Sequence, residues 1–299
     1  MKFKKYLISI CTSVMMLSVV GCSSTSIDDN NSKGDATNKE SYGEDSVVVA
    51  TSVAVAQILD ELGVKISGVP TTSYDLPENA KDAVEVGTPM NPDLEIIKSL
   101  NPDVVVSVDT LGQDFIDNFT QNGIPSEFVN LTSYNDLKET INTLGEKFNK
   151  QDKASEIINK LETKESELES KFNDSEKPNA LVIFGAPGTM MLGTDKCYVG
   201  NLVNLAGGKN VLENSTSSFV QINKEELLNL NPDKIVVMTH ADPETTKAQV
   251  KNTLETDAAW KNLSAVKNGE VHYLENDYFG MSANLKVIEA LDMMHDLLY

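Results

Sequence analysis

Short apolar runs alternate with amphipathic segments along most of the chain. The continuous apolar runs Val47–Ala50 and Val104–Val108 predict strands that are buried on both faces. Apolar residues at helical spacing predict a helix over Val53–Leu62, ended by Gly63, and a second over Leu94–Leu100. This β-α-β alternation predicts an α/β fold with mostly parallel sheets that are covered by helices on both faces.

A different pattern occupies the middle of the chain. Residues 135–173 are long, charged and helical, with no proline and one glycine. Within them, Gln151–Phe172 predicts one helix about 30 Å long, because each helical residue adds about 1.5 Å. Its apolar stripe is narrow, and its heptads are too few and too broken for a coiled coil. Lys177-Pro178 predicts its end.

An internal repeat lies on either side of this helix. Glu95–Val106 and Glu225–Val236 share one order: a helix, an Asn-Pro-Asp turn and a buried strand, 130 residues apart. Such a fixed offset indicates a duplication. We therefore predict an N-terminal lobe over 46–135, a bridging helical segment over 136–175 and a C-terminal lobe over 176–299. A ligand is expected between the lobes, at the carboxyl ends of the strands.

The first residues predict a leader that is not part of this fold. Three lysines precede the apolar run Tyr6–Val20, which ends in Val-Gly-Cys at Cys22. This order is typical of a lipoprotein signal peptide over 1–21, cleaved before Cys22, whose thiol then carries the lipid. An ordinary signal peptide with an incidental cysteine is the alternative. Residues 22–45 are almost all polar and predict a disordered tether.

The charge of the chain excludes some partners. The formal net charge is −20, and loss of the three leader lysines makes it −23, which argues against nucleic acid. The sequence contains no arginine, so lysines, hydroxyls or backbone N–H groups would have to hold an anionic ligand. Cys197 is the one cysteine beyond Cys22, so the mature chain depends on its apolar core rather than on disulfides.

Three motifs carry a resemblance to a known family. The segments VATSVAV (49–55), GVPT (68–71) and GTPMNPDLE (87–95) resemble the IsdE family of haem-binding lipoproteins, within the class III substrate-binding proteins of ABC importers. The resemblance covers Ser46–Tyr299. It implies two Rossmann-like lobes joined by a single long bridging helix, and no enzymatic activity. It also implies a monomer, anchored through Cys22 on the extracytoplasmic face of the cell membrane. The arginine-free, Asn- and Lys-rich composition points to a Gram-positive source.

The resemblance also implies a ligand and its contacts. Non-covalent haem b, the transported ligand, would have its iron held between Met90 and His240, by analogy with the family's motif. The partners implied are an ABC permease with its ATPase subunits and an upstream haem-donor protein. Taken alone, a histidine in a loop is more often structural, and methionine is usually core filler. His272 and His295 are expected in a strand and on an exposed helix face.

Other residues have two possible roles each, one in binding and one in local structure. Thr51, Ser52, Val53 and Ala54 could meet a haem propionate at a helix N-terminus, although Ser52 is equally well read as a simple N-cap. A second propionate candidate is the loop Thr72, Ser73 and Tyr74. Glu95 and Glu225 match the family's permease-docking acids, with Glu226 as a neighbour, or they only complement their helix dipoles.

Rival functions remain at this point. A ferric-siderophore or cobalamin carrier would use the same scaffold, although the lack of arginine and the single tryptophan disfavour anionic siderophores. A zinc or manganese carrier would need three or four clustered ligands. The chain has no GxSxG, P-loop or HExxH motif, so nothing predicts an enzyme. Cys197 is read as a small buried residue.

Overall fold

The computed structural model describes residues 41–172 and 176–299. The predicted leader, Cys22 and most of the tether lie outside these ranges. The strands are β1 (Val48–Ala50), β2 (Gly68–Val69), β3 (Val84–Glu85), β4 (Gly87–Thr88), β5 (Asn91–Pro92), β6 (Val104–Val108), β7 (Ser126–Val129), β8 (Asn179–Ala186), β9 (Thr189–Gly193), β10 (Lys209–Asn210), β11 (Phe219–Val220), β12 (Lys234–Thr239) and β13 (Val271–Tyr273). The helices are α1 (Val53–Glu61), α2 (Leu94–Ser99), α3 (Gln113–Gln121), α4 (Tyr134–Lys147), α5 (Gln151–Phe172), α6 (Tyr198–Leu205), α7 (Lys224–Leu230), α8 (Pro243–Thr256), α9 (Ser264–Asn268) and α10 (Val287–Leu298). None of these helices is both long and apolar enough to cross a bilayer.

The N-terminal sheet has five parallel strands in the order β3-β2-β1-β6-β7. The interior strands β1 and β6 correspond to the two runs predicted from the sequence, with β1 beginning one residue later than predicted, and all eight of their residues are buried. Burial on both faces explains why these strands are continuous valine-rich runs rather than alternating ones. β4 and β5 form a separate two-residue hairpin between β3 and α2.

The C-terminal sheet is mixed. Its strand order is β11-β9-β8-β12-β13, and β10 also pairs with β8. β12 runs parallel to β8 from Lys234↔Ala180 to Thr239↔Gly185, and β13 runs parallel to β12. β9 returns antiparallel to β8, and β11 is antiparallel to β9. The expectation of mostly parallel sheets is therefore met fully in the first sheet and around β8, β12 and β13 in the second.

The long helix α5 spans the residues that its charge pattern predicts, Gln151–Phe172. It connects the two sheets along the chain and packs against α4, α6 and α10. Its narrow stripe is buried at Ile157, Leu161 and Leu168. One continuous apolar core includes this stripe together with residues from both sheets. The sheets are thus linked by side-chain packing as well as by the helix.

The repeated Asn-Pro-Asp turns have the same structure in both halves. Asn101 and Asn231 adopt left-handed φ angles of 48° and 30°, which asparagine tolerates better than most residues. The following aspartates then bind the start of the first strand of each sheet. Asp103 Oδ2 accepts a hydrogen bond from Val47 N at 3.0 Å, and Asp233 Oδ2 accepts one from Asn179 N at 2.8 Å. The two repeats therefore share the same aspartate-to-backbone hydrogen bond as well as the same sequence pattern.

Packed structure begins before Ser46, contrary to the predicted end of the tether at residue 45. Tyr42 is only 5% exposed, and its ring lies 5.2 Å from that of Phe148. Its backbone N donates to Lys147 O, and Asn149 Nδ2 donates to its carbonyl at 3.1 Å. The segment is held by Tyr42, an aromatic residue in an otherwise polar stretch, and the polar composition of that stretch did not predict its packing.

Candidate functional site

Three predicted N-terminal segments follow neighbouring strands at one sheet edge. Thr51 and Ser52 follow β1, the loop 72–74 follows β2, and Met90 follows β3. Since β1, β2 and β3 are adjacent and parallel, their carboxyl ends lie side by side. The topology therefore places all three segments along the carboxyl edge of the N-terminal sheet, where ligands bind in α/β folds.

The first segment is the N-terminus of α1. Ser52 is its N-cap: its side-chain oxygen accepts from Val55 N at 3.3 Å, and its carbonyl accepts from Ala56 N at 3.0 Å. The N-cap reading of Ser52 is thus confirmed. Helix geometry leaves the amides of Val53 and Ala54, in the first turn, without an intrahelical acceptor. Thr51 is only 2% exposed, and its hydroxyl donates inward to Ser107 at 2.7 Å.

The second segment is a local turn. Thr72 Oγ1 accepts from Tyr74 N at 3.1 Å, which folds the loop back on itself. Ser73 is exposed and the Tyr74 side chain is 41% exposed. The loop therefore presents two hydroxyl groups to its surroundings at the carboxyl edge.

Met90 lies at the tip of the β4–β5 hairpin, in the two-residue turn between the paired residues Thr88 and Asn91. It is 71% exposed, so most of its side chain packs against nothing in the described part of the chain. Gly87 opens this hairpin with a φ of 89°, and a Cβ there would lie 2.7 Å from Asp93 N. Only glycine fits, so the backbone that carries Met90 is closely specified.

His240 directly follows β12, the strand between β8 and β13 in the C-terminal sheet. Its backbone N donates to Gly185 O at 2.8 Å, which extends the pairing of β12 with β8 by one residue. Its ring is half-buried and stacks on Phe184, with 6.5 Å between centroids and 30° between planes. Burial lowers the pKa of His240 below its ordinary value, which favours the neutral ring, the form that can act as a metal ligand.

Two residues near His240 were missed by the sequence analysis. Phe184 on β8 contacts both His240 and Phe219, and its ring centroid is 5.0 Å from that of Phe219. Asn276 hydrogen-bonds the residue before His240. The apolar run that contains Phe184 predicts a strand but does not distinguish Phe184 from its neighbours. Nothing in the sequence around Asn276 predicts its contact with Thr239, 37 residues away.

The two predicted docking acids occupy equivalent positions. Glu95 and Glu225 are both exposed first-turn residues, and their backbone N atoms donate to the N-caps Asp93 and Asn223. Glu226 is also exposed. The side chain of Glu95 is 87% exposed and forms only a surface ion pair with Lys98, at 3.3 Å. Neither docking acid is buried, so both remain accessible to a partner.

The other histidines and Cys197 have structural surroundings. His272 lies in β13, 3.3 Å from Glu270. His295 is half-buried rather than exposed as predicted, because its ring packs 4.9 Å from Tyr299 and its Nδ1 contacts Ala206 O at 3.0 Å. Cys197 is buried, as its small-residue reading predicts, and its Sγ also caps α6 by accepting from Gly200 N. Burial raises the pKa of its thiol to about 11.

Comparison with known proteins agrees with this architecture. A family model described as periplasmic binding protein matches residues 48–278. The whole chain is 33% identical to the high-affinity heme uptake system protein IsdE of Staphylococcus aureus, covering 99% of that protein. The structure of S. aureus IsdE complexed with heme matches with a TM-score of 0.82 and 34% identity, covering 85% of this chain and 99% of that one.

Other solved structures extend the comparison. An ABC transporter substrate-binding protein from Listeria monocytogenes EGD-e matches with a TM-score of 0.81 and 35% identity, covering 85% of this chain and 98% of that one. The vitamin B12 binding protein BtuF of Vibrio cholerae, at 16% identity and a TM-score of 0.69, shares the fold, covering 86% and 98%. The paired sheets, the connecting helix and the family match agree: the chain belongs to the periplasmic binding protein family, whose members bind substrates for transport and are not enzymes.

Proposed function

We propose that this protein is the substrate-binding lipoprotein of an ABC importer and that its substrate is haem. The observation that carries the proposal is His240, a half-buried imidazole at the carboxyl end of a central strand, where burial favours its neutral form. It occurs in a chain that is similar over its full length to a heme uptake protein. Neutral imidazole is the form that ligates haem iron.

Met90 supplies the second iron ligand in this proposal. A methionine that is 71% exposed at the tip of a closely specified hairpin is unusual, since methionine mostly fills cores. Its thioether and the imidazole of His240 lie at the carboxyl edges of different sheets. Ala283 N donates to Leu131 O at 2.8 Å, which joins the segments that follow β13 and β7 at those edges. One ligand from each side gives six-coordinate, exchangeable iron, which suits transport and release.

The remaining haem contacts follow from the same two edges. Phe184 and Phe219 offer an apolar aromatic wall next to His240 for the porphyrin face. For the propionates, the amides of Val53 and Ala54 at the start of α1 are the N-terminal donors, with Thr72, Ser73 and Tyr74 beside them. Thr51, predicted as a propionate contact, offers no free donor, since its hydroxyl donates to Ser107 and its backbone N to Val106 O. Without arginine, hydroxyl and backbone donors carry this role.

Haem binding to the purified chain tests the proposal. Titration with ferric haem should give a sharp Soret band at one haem per chain, and cobalamin or a ferric siderophore should not compete. His240→Ala and Met90→Ala should each lose the six-coordinate low-spin spectrum and release haem faster to an excess of apomyoglobin. His272→Ala and Met281→Ala are matched controls, because they remove the same side chains elsewhere. Wild-type spectra in both ligand variants would refute the ligand assignment, and binding of cobalamin instead would refute haem as the substrate.

Delivery is proposed to use the two equivalent acids and the lipid anchor. Glu95 and Glu225 would pair with basic residues of the permease, which the ATPase subunits drive, while Cys22 anchors the monomer beside it at the outer face of the cell membrane. An upstream donor protein would supply the haem. Glu95→Ala with Glu225→Ala should leave haem binding intact and abolish haem-dependent growth. Glu244→Ala, at an exposed first-turn position of α8, is the control. Unchanged growth of the double variant would exclude these acids as docking residues.

A further inference from the structure

The backbone that carries His240 is held in an unusual conformation. The two residues after it, Ala241 and Asp242, have left-handed φ angles of 49° and 40°. This region is disfavoured for residues with a Cβ, and alanine has no polar side chain to compensate. Two consecutive residues in this region persist only where the surroundings over-determine the turn.

Three hydrogen bonds hold the turn, one to the neighbouring strand β8 and two between the turn and α8. His240 N donates to Gly185 O at 2.8 Å, and Thr246 Oγ1 donates to Ala241 O at 3.2 Å. Asp242 Oδ1 accepts from Thr245 N at 3.4 Å and so caps α8. These bonds hold the turn after His240, and the pairing of β12 with β8 holds the main chain before it at Thr239. They leave the carbonyl O and the hydroxyl of Thr239, the residue before His240, to another partner.

Asn276 fixes that residue from a different segment. Its Nδ2 donates to the backbone O of Thr239 at 2.8 Å, and its Oδ1 accepts from Thr239 Oγ1, also at 2.8 Å. Thr239 is only 2% exposed, so both bonds are shielded from water at the Thr239 end. A carbonyl oxygen can only accept, which orients the amide of Asn276 without ambiguity. The side chain must therefore donate and accept at once, which asparagine does and aspartate or leucine does not.

We propose that Asn276 is the positioning residue of His240, clamping Thr239 so that the imidazole stands on Phe184 and faces the substrate. Asn276 itself touches Thr239 rather than the iron. It lies in the segment after β13, whose Leu274 N donates to Val237 O at 2.9 Å. The proposed effect on the orientation of His240 concerns the protein without haem. The expected effect on haem release also rests on the proposed function.

The first test uses the protein without haem. The chain has only three histidines, so their ring-proton resonances can be assigned by substitution. Asn276→Asp and Thr239→Val should each shift the His240 resonance, because its ring moves relative to the ring current of Phe184. The resonances of His272 and His295 should stay in place and serve as internal controls. Asn284→Asp is a matched control in the same segment, where Asn284 accepts from Lys286 N and donates to Asp277 O.

The second test adds haem. Asn276→Asp and Thr239→Val should release haem to apomyoglobin about tenfold faster and weaken the low-spin spectrum, whereas Asn284→Asp should not. If both variants keep the wild-type His240 resonance and release rate, Asn276 does not position His240. If all three histidine resonances move together, the bonds support the fold in general and the proposal is overturned. If only His240 moves but the wild-type chain takes up no haem, the positioning stands and the proposed substrate is wrong.

Discussion

The aspartates of the two Asn-Pro-Asp turns should stabilise the two sheets separately. Each carboxylate accepts a hydrogen bond from a backbone N at the start of a first strand: Val47 N to Asp103 at 3.0 Å and Asn179 N to Asp233 at 2.8 Å. Replacement by alanine removes a charge-assisted bond, which contributes about 1.5–3 kcal/mol when shielded and less when water can replace it. Val47 is half-buried and Asn179 is exposed. We therefore expect Asp103→Ala to cost about 2 kcal/mol and Asp233→Ala about 1 kcal/mol.

The assay is urea unfolding followed by far-UV circular dichroism. Each variant should lower the midpoint without changing the slope, and the double variant should show the sum, because the two turns belong to different sheets. Asp82→Ala controls for charge, since removing any acid relieves repulsion in a chain of net charge −20 and Asp82 is exposed. If the two sheets unfold in separate steps, Asp103→Ala and Asp233→Ala should each lower the urea midpoint of a different step. A cost for Asp103→Ala no greater than that for Asp82→Ala would refute the reasoning.

Three further changes test other features of the structure. Gly200→Ala should destabilise the fold by about 3 kcal/mol or more, because the new Cβ would lie 1.9 Å from a carbonyl oxygen, whereas Gly43→Ala has open space and should be neutral in the same urea assay. Cys197 should resist iodoacetamide at pH 8 when its peptide is followed by mass spectrometry, because a pKa of about 11 leaves about one thiolate in a thousand molecules. Rapid alkylation in the folded chain would contradict its burial. Burial and Glu127 raise the pKa of Tyr42 to about 12, so the neutral phenol stabilises the fold below pH 10 and that contribution is lost as pH rises through 12, by up to about 1.4 kcal/mol per pH unit. Tyr42→Phe should flatten the fall in unfolding free energy over that range, and an unchanged slope would contradict it.

The elements that the sequence predicted well are those with local causes. The strand Val104–Val108 and the helix Gln151–Phe172 have the predicted bounds, because a valine run buried on both faces and an uninterrupted helical stripe each specify one structure. The burial of Cys197 also followed from residue type. The β4–β5 hairpin was not predicted, since its two-residue strands are too short to show any periodicity.

What the sequence did not predict depends on contacts between distant segments. Tyr42 is packed because Phe148 and Lys147 lie next to it in space, 106 and 105 residues along the chain. His295 is half-buried because Tyr299, Ala206 and Phe172 surround it. In the candidate site, His240 was selected from its position after a buried strand together with the family resemblance, but its stacking on Phe184 and its link to Asn276 could not be predicted. These environments are set by contacts between residues far apart in the chain, and such contacts cannot be inferred from the local pattern of a single sequence.

The duplication explains why the scaffold is symmetric while the proposed substrate site is not. At the offset of 130 residues, Glu95 corresponds to Glu225 and Asp103 to Asp233, and each pair occupies the same structural position. The same offset places Val220 opposite Met90 and Thr110 opposite His240. Val220 is paired in β11 instead of exposed in a hairpin turn, so it has no counterpart role. A permease that approaches both halves would meet two equivalent acids, whereas the two proposed iron ligands, Met90 and His240, are chemically different and come one from each half. The two halves are therefore expected to differ in the loops at the carboxyl edges of the sheets. They are expected to stay alike in the Asn-Pro-Asp turns, whose aspartates bind the starts of the strands.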